Sequence, residues 1–256
     1  MAVTTASANK SLDAVGKFFA MSLDTLVAIP RRPFAWRELV LQIWFVARVS
    51  MVPTMMLCIP FTVLTVFIIN ILLTEIGAAD FSGSGAALGI VTQTGPVVTV
   101  LVIAGAAATA MCADLGARTI REELDALRVL GIDPVQALVV PRVIAATIVA
   151  LLLNGAVTLF GLSGGFLFSV FVQHVTPGAY AGGLTLLIGL PQVITATAKA
   201  ALFGMAAALI ACYKGLVVDG GPQGVGNAVN ETVVFSFMAL FLINVLLTGV
   251  SVTVGQ

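Results

Sequence analysis

VSMVPTMMLCIPFTVLTVFIINILLT, residues 49–74, carries no charged side chain and is closed by Arg48 and Glu75. A helix crossing the hydrocarbon core of a bilayer needs about 20 mostly apolar residues, and this run of 26 supplies them. Further charge-free runs occupy 81–113, 143–198, 200–213 and 232–256. The run 143–198 is too long for one span, and Gln173-His174-Val175-Thr176-Pro177-Gly178 interrupts it. Five spans are read over 45–73, 88–113, 138–171, 191–213 and 231–253. Residues 179–190 are placed at the outer surface before Pro191 opens the fourth span, with a start near Gly183 as the alternative. The rest of the 256-residue chain agrees: 59% is hydrophobic and 9% charged. Soluble proteins are about 25% charged, so this chain cannot cover a soluble globule with polar surface. The fold class is all-α integral membrane.

The 12 Lys and Arg balance 12 Asp and Glu, which excludes a strongly basic nucleic-acid binder. Their placement gives an orientation. Lys10, Lys17, Arg31, Arg32, Arg37, Arg48, Arg118, Arg121, Arg128, Arg142 and Lys214 fall on one side, and only Lys199 does not. That side is cytoplasmic by the positive-inside rule, so the N-terminus is expected inside and, after five spans, the C-terminus outside. Asp13, Lys17 and Asp24 interrupt any apolar signal-peptide core, and the N-terminus is expected to be retained. Residues 10–29 instead form an amphipathic pattern. At ~100° per residue, Leu12, Val15, Phe19, Leu23 and Leu26 share an arc of about 80°. A helix lying in the cytoplasmic interface fits, and a soluble helix packed on the loops is the alternative. Pro30-Arg31-Arg32-Pro33 ends it.

Most cytoplasmic charge is concentrated in 114–134. Arg118/Glu122 and Arg121/Asp125 are spaced as i,i+4 pairs that support a helix. Gly131 suits the residue after a helix end. Asp133-Pro134 with Gln136 reads as a fresh N-terminus. Leu124, Leu127 and Leu130 form an apolar ridge. The segment is either a solvated loop or a lever helix that docks on a separate ATPase. The chain has no phosphate-binding loop of its own.

At this point the motifs identify a resemblance. The run from Glu122 to Pro134, then Val139-Val140-Pro141-Arg142, resembles the signature loop of MlaE/YrbE-type permeases, the membrane subunits of MCE-associated ABC lipid transporters. Gly95-Pro96, Ala113-Asp114-Leu115-Gly116, Cys212-Tyr213-Lys214-Gly215 and the run from Gly220 to Gly226 match as well. The likeness covers roughly 15–253 and is nearest the A-type YrbE subunits of actinobacterial Mce systems. It implies a single permease domain over 1–256, with 10–29 as interfacial helix and 114–134 as cytoplasmic coupling region. It implies a multi-pass subunit of the cytoplasmic (inner) membrane. It also implies a heterodimer with a second YrbE-like permease, a cytoplasmic ABC ATPase dimer that holds ATP and Mg, and an MCE-protein assembly outside. No cofactor is expected on this chain. The implied cargo is membrane lipid, a sterol or fatty acid with sterol favoured, moved inward. Arg121, Glu122, Glu123, Asp125 and Leu127 are candidates for ATPase coupling, with Gly131, Asp133 and Pro134 shaping the helix end. One departure stands out: Gln93 and Ala106 occupy positions where many relatives of this type carry Glu and Arg.

Candidate lipid-path residues are Phe61, Leu64 and Phe67 in span one, Phe237, Leu240 and Phe241 in span five, and Lys199, the one ionisable residue well inside a span. A charge there costs about 2.5–3.5 kcal/mol on insertion scales. Lys199 either lines the path, meets the partner subunit, or snorkels to the outer surface. Pro53 and Pro60 are expected to break span one. Small residues at 104–110, and Gly155, Gly161, Gly164 and Gly165, allow close helix approach within the chain or between subunits. Cys58, Cys112 and Cys212 lack metal-ligand spacing and read as free thiols. An intramembrane enzyme is disfavoured because His174 is the only histidine. An ion-coupled carrier needs carboxylates near the midplane, and the five spans contain none in their interiors. A non-transporting structural subunit remains a rival.

Overall fold

The computed structural model describes residues 2–31, 34–78, 81–172, 174–184 and 186–254. Helix α1 (Ala2–Ala28) precedes the first span, α2 (Trp36–Glu75). The second span, α3, is Ser82–Ile120, and a short α4 (Glu123–Val129) follows it. The third span, α5, is Val135–Phe171. A short α6 (Pro177–Gly183) leads to α7 (Leu190–Leu216) and α8 (Gly221–Val254). Helices α2, α3, α5, α7 and α8 are each long and apolar enough to cross a membrane. The five expected spans are all present, longer by up to ten residues at their ends. Pro191 sits in the first turn of α7, so the fourth span starts there rather than near Gly183. Within Pro30-Arg31-Arg32-Pro33, Arg32 and Pro33 lie outside the described residues.

Helix α3 is the hub. It packs on α2, α5, α7 and α8, and these four form an arc in which α2 meets α5, α5 meets α7, and α7 meets α8. Helix α2 shows why an apolar sequence folds this way. Its buried stripe is Gln42, Val46, Ser50, Thr54, Cys58, Thr62, Val66 and Asn70, one residue every four. Most of these are small or polar, whereas Met51, Met56, Ile59 and Leu64 face outward. In lipid there is no hydrophobic drive to bury large side chains, so small polar residues take the interface and hydrogen-bond there. The Asn70 amide donates to Ser169 Oγ on α5 at 3.2 Å. Pro53 and Pro60 do not break the helix, contrary to expectation: α2 is one continuous element through both. Thr54 donates back to the Ser50 carbonyl at 2.7 Å beside Pro53.

Two glycine patterns resolve as packing. Gly83, Gly85 and Gly89 face the Tyr180 backbone, Ile69 and Thr65 at distances that leave no room for a Cβ. Tyr180 of α6 is fully buried, and that burial pushes its hydroxyl up to about 12. Gly204 brings α7 against α5, where an added Cβ would lie 2.6 Å from Ala150 Cβ and 2.9 Å from the Ala146 carbonyl oxygen. Gly204→Val should therefore cost about 1–3 kcal/mol through overpacking. A fall in the thermal unfolding midpoint in detergent is the readout. Of the third-span glycines, Gly161 and Gly165 face tight intrachain contacts, whereas Gly155 and Gly164 look onto open space. The three cysteines are free and buried.

Helix α1 has three faces. Met21, Thr25 and Ala28 are buried against the bundle. Asp13 and Lys17 form an exposed ion pair at 2.7 Å. The apolar stripe of Val15, Phe19, Leu23 and Leu26 points away from the protein, each residue 41–61% exposed. The side chain of Leu12, the remaining residue of the expected stripe, lies outside the described residues.

Candidate functional site

Two regions collect the chemistry: the charged end of the bundle around 114–142, and the uncovered face of α3 between α2 and α8.

At the charged end, α3 runs on to Ile120 and stops at Arg121. Glu122 then takes a left-handed conformation, φ 59°, and α4 starts at Glu123. The ion pairs differ from the expected i,i+4 set, because this break rotates the following residues out of the helical register. Arg118 pairs with Asp114, Arg121 with Glu123 at 2.8 Å, and Arg128 with Asp125 at 2.8 Å. The end of α4 follows the sequence reading. Gly131, φ 76°, donates to the Arg128 carbonyl, and Ile132 donates to the Leu127 carbonyl. This is the Schellman closure that needs a left-handed residue, hence glycine. Asp133 caps the next helix by accepting from the Val135 amide at 3.0 Å.

The apolar ridge does not stay together. Leu124 is 5% exposed and joins the core, Leu127 packs partly against it, and Pro134 is buried. Val129 and Leu130 are 87% and 73% exposed, with Ile132 beside them. The surface offered outward is therefore Arg121, Glu122, Asp125, Arg128 and the Val129–Leu130 pair, with Glu123 half-buried.

Behind this surface lies a buried arginine from the first turns of the third span. Arg142 is inside α5 and fully buried. It donates to Asp114 Oδ2 at 2.5 Å and to the Leu138 carbonyl at 2.8 Å, and lies 3.9 Å from Glu38 Oε1. One guanidinium thus joins the starts of α2 and α5 to the end of α3. The charge pattern showed these residues but not their convergence.

The open face of α3 carries Leu88, Gln93 and Gly105 exposed, with Val97, Leu101 and Ala106 half-covered. An added Cβ on Gly105 would meet nothing within 4 Å. Two wide π-type turns, Ile90–Thr94 and Ile103–Ala107, sit at the Gln93 and Ala106 positions. The first precedes Pro96, which can neither donate to the preceding turn nor clear its carbonyl in a regular α-helix. Thr109 donates to the Gly105 and Ala106 carbonyls within the second. Such turns recur at functional sites.

The structure divides the candidate path residues. Phe237, Leu240 and Phe241 meet Val97, Leu101 and Phe203 around a cleft of about 60 Å³. Phe61 packs with Cys58 and Val98 on the other side of α3. Leu64 is 58% exposed on the outer surface of α2. Phe67 turns to Phe168 of α5, ring centres 6.3 Å apart. Phe203 and Val97 were missed because a lone Phe or Val in an apolar run carries no signal. Lys199 is 4% exposed and donates to Thr248 Oγ1 of α8 at 2.9 Å. It lies about 13 Å along α7 from Leu190, at ~1.5 Å per residue. Among the described residues, no group of three His, Cys, Asp or Glu could hold a metal ion.

Comparison with known proteins fits this geometry. The profile of the family described as "Permease MlaE" matches residues 39–250. A probable ABC transporter permease protein of Rickettsia bellii is 30% identical over 92% of this chain and 91% of its own length. A probable ABC transporter permease protein of Synechocystis is 34% identical over 67% of this chain and 65% of its own length. The intermembrane phospholipid transport system permease protein MlaE of Haemophilus influenzae is 26% identical over 72% and 71%. With a profile match over most of its length and five helices fit to span, this all-α membrane protein belongs to the MlaE permease family.

Proposed function

We propose that the chain is the membrane-spanning permease subunit of an ATP-driven lipid transporter. The observation that carries this reading is the charged protrusion 121–133, closed by its own caps and set directly between the end of α3 and the start of α5. It is built to receive force from a separate motor, and the chain has no phosphate loop with which to hydrolyse ATP itself. The partners are a cytoplasmic ABC ATPase dimer, which holds ATP and Mg, a second YrbE-like permease, and an MCE-protein assembly on the far side. The permease pair is a heterodimer. Gln93 and Ala106 lack the charges common at these positions, and the second permease supplies them. Residues 1–256 act as one permease domain in the inner membrane, with the interfacial helix 10–29 and the coupling region 114–134 on the cytoplasmic side and the C-terminus outside.

The Haemophilus relative is named for phospholipid transport. For this chain the cargo is a hydrophobic lipid moved inward, a sterol in preference to a fatty acid, because its motifs resemble sterol-type A subunits most closely. An apolar enclosure is required in any case. Exposing acyl carbons to water costs about 0.8 kcal/mol per CH₂, on the order of 13 kcal/mol for a 16-carbon chain. Lys199 is buried one turn from Phe203 at the α8 cleft, where it meets a polar group of the cargo or of the partner permease.

Purification in mild detergent, followed by mass spectrometry of what accompanies the chain, tests the assembly. An ATPase, a second permease and MCE proteins are expected, whereas a solitary chain would favour a structural subunit or an ion-coupled carrier. Lys199→Ala should assemble normally yet lower lipid transport about tenfold, equivalent to about 1.4 kcal/mol. Unchanged transport would remove Lys199 from the path.

A further inference from the structure

Where α8 passes α1, the molecule has a long apolar groove of about 460 Å³. Phe18 of α1 roofs it, Ile210 of α7 forms one wall, and Phe235, Met238 and Leu242 of α8 form the other. Its polar groups are concentrated at one end. There the Tyr213 hydroxyl donates to the Ala14 carbonyl at 2.9 Å, and the Phe18 and Tyr213 rings meet edge-on, which fixes the roof. Lys214 pairs with Glu231 at 2.5 Å and stands 4.5 Å over the Phe235 ring.

The part of α8 that lines the groove, Phe235 to Leu242, rises about 10 Å at ~1.5 Å per residue, and Glu231 stands about one turn beyond it at the mouth. The mouth is paired in charge: an ammonium on Lys214 and a carboxylate on Glu231, the latter side chain 56% exposed. Lysine carries three donors. The Glu231 contact uses one of them, and the Lys214 side chain keeps 22% exposure at the mouth, where a phosphate would be met. Glu231 in turn can accept from an amine. The groove is also separate from the candidate path. Helix α8 turns Phe235, Met238 and Leu242 to the groove, and Phe237, Leu240 and Phe241 to the cleft beside α3.

We infer that this groove holds a resident phospholipid with a zwitterionic amine headgroup, a phosphatidylethanolamine. One acyl chain lies between α7 and α8, the phosphate meets Lys214, and the headgroup amine meets Glu231. The lipid completes the seam between the interfacial helix and the last two spans, and it is a fixed component rather than cargo. The assignment rests on the membrane placement of α1 proposed above.

The test uses the full chain in nanodiscs containing phosphatidylethanolamine with a photoactivatable group on one acyl chain, followed by mass spectrometry of labelled peptides. Label should concentrate on Ile210 and on Met238 to Leu242, well above Leu159, which is 69% exposed on another face. Ala239→Phe should cut groove labelling about tenfold, about 1.4 kcal/mol. Met238→Trp, a change at a 63% exposed position, serves if Ala239→Phe lowers the unfolding midpoint. Glu231→Gln should weaken the preference for phosphatidylethanolamine over phosphatidylglycerol, because it removes the carboxylate that accepts from the amine. Equal labelling of the groove and Leu159, no effect of filling the groove, or cross-links to a second permease seated there would each overturn the inference. Neither ATP hydrolysis nor transport is read, so failure here leaves the transporter reading standing, and failure of that reading leaves the labelling result intact.

Discussion

Asp114→Ala is expected to lower the unfolding free energy by about 3 kcal/mol, the low end of the range for breaking a buried ion pair. The low end applies because the Asp114 side chain is 34% exposed, and solvent screens part of its charge. Its partner has no such relief. Arg142 is fully buried, and without Asp114 it keeps only the Leu138 carbonyl and Glu38 at 3.9 Å. Arg142→Met should cost less than Asp114→Ala. It removes the buried charge and leaves behind a carboxylate that water and Arg118 can reach. The double variant should therefore recover stability relative to Asp114→Ala alone. Thermal unfolding of the three variants in one detergent checks the order. If Arg142→Met proves the worst, the guanidinium acts through packing across α2, α3 and α5, and the ion pair is secondary.

The largest functional effect is expected from reversing Glu122 and Asp125 to Lys. Both are exposed, so the folded chain should keep its unfolding midpoint. At an interface with the ATPase, truncating a charge paired across the contact costs about 2–5 kcal/mol. Reversal of two such charges should cut lipid-coupled ATP hydrolysis by a factor on the order of 30 or more. Leu124→Asp is the contrasting variant: with Leu124 buried, it should unfold the charged end rather than uncouple it. Glu122→Gly separates charge from backbone. Glycine removes the left-handed penalty of about 1–2 kcal/mol, so that variant should be no less stable than the parent while losing part of the coupling. Full coupling in the Glu122/Asp125 reversal would move the docking surface elsewhere, with the exposed Val129–Leu130 pair next to be changed.

Much of this molecule could be read in one dimension, because a bilayer imposes one-dimensional rules. A span must be long, apolar and self-satisfied in its hydrogen bonds. Charge-free length therefore found all five spanning helices, and the caps Gly131 and Asp133 were legible because they act within a few residues of themselves. Misreadings arose where the outcome depends on a neighbour. Pro53 and Pro60 were expected to break α2, yet α2 runs through both unbroken. Leu124, Leu127 and Leu130 share a spacing, but the left-handed turn at Glu122 rotates Leu124 into the core and leaves Leu130 outside.

The sequence alone determined that the chain is a five-span membrane protein with a charged segment between the second and third spans. Hydropathy and charge act locally and add along the chain. Tertiary structure alone decided which side chains meet. It buried Arg142 between three helices, set Lys199 on Thr248, divided the aromatic residues between the two sides of α3, and roofed a groove with α1. In an apolar span, residues facing lipid and residues facing protein have nearly the same composition. Only the packing of one helix on another distinguishes them.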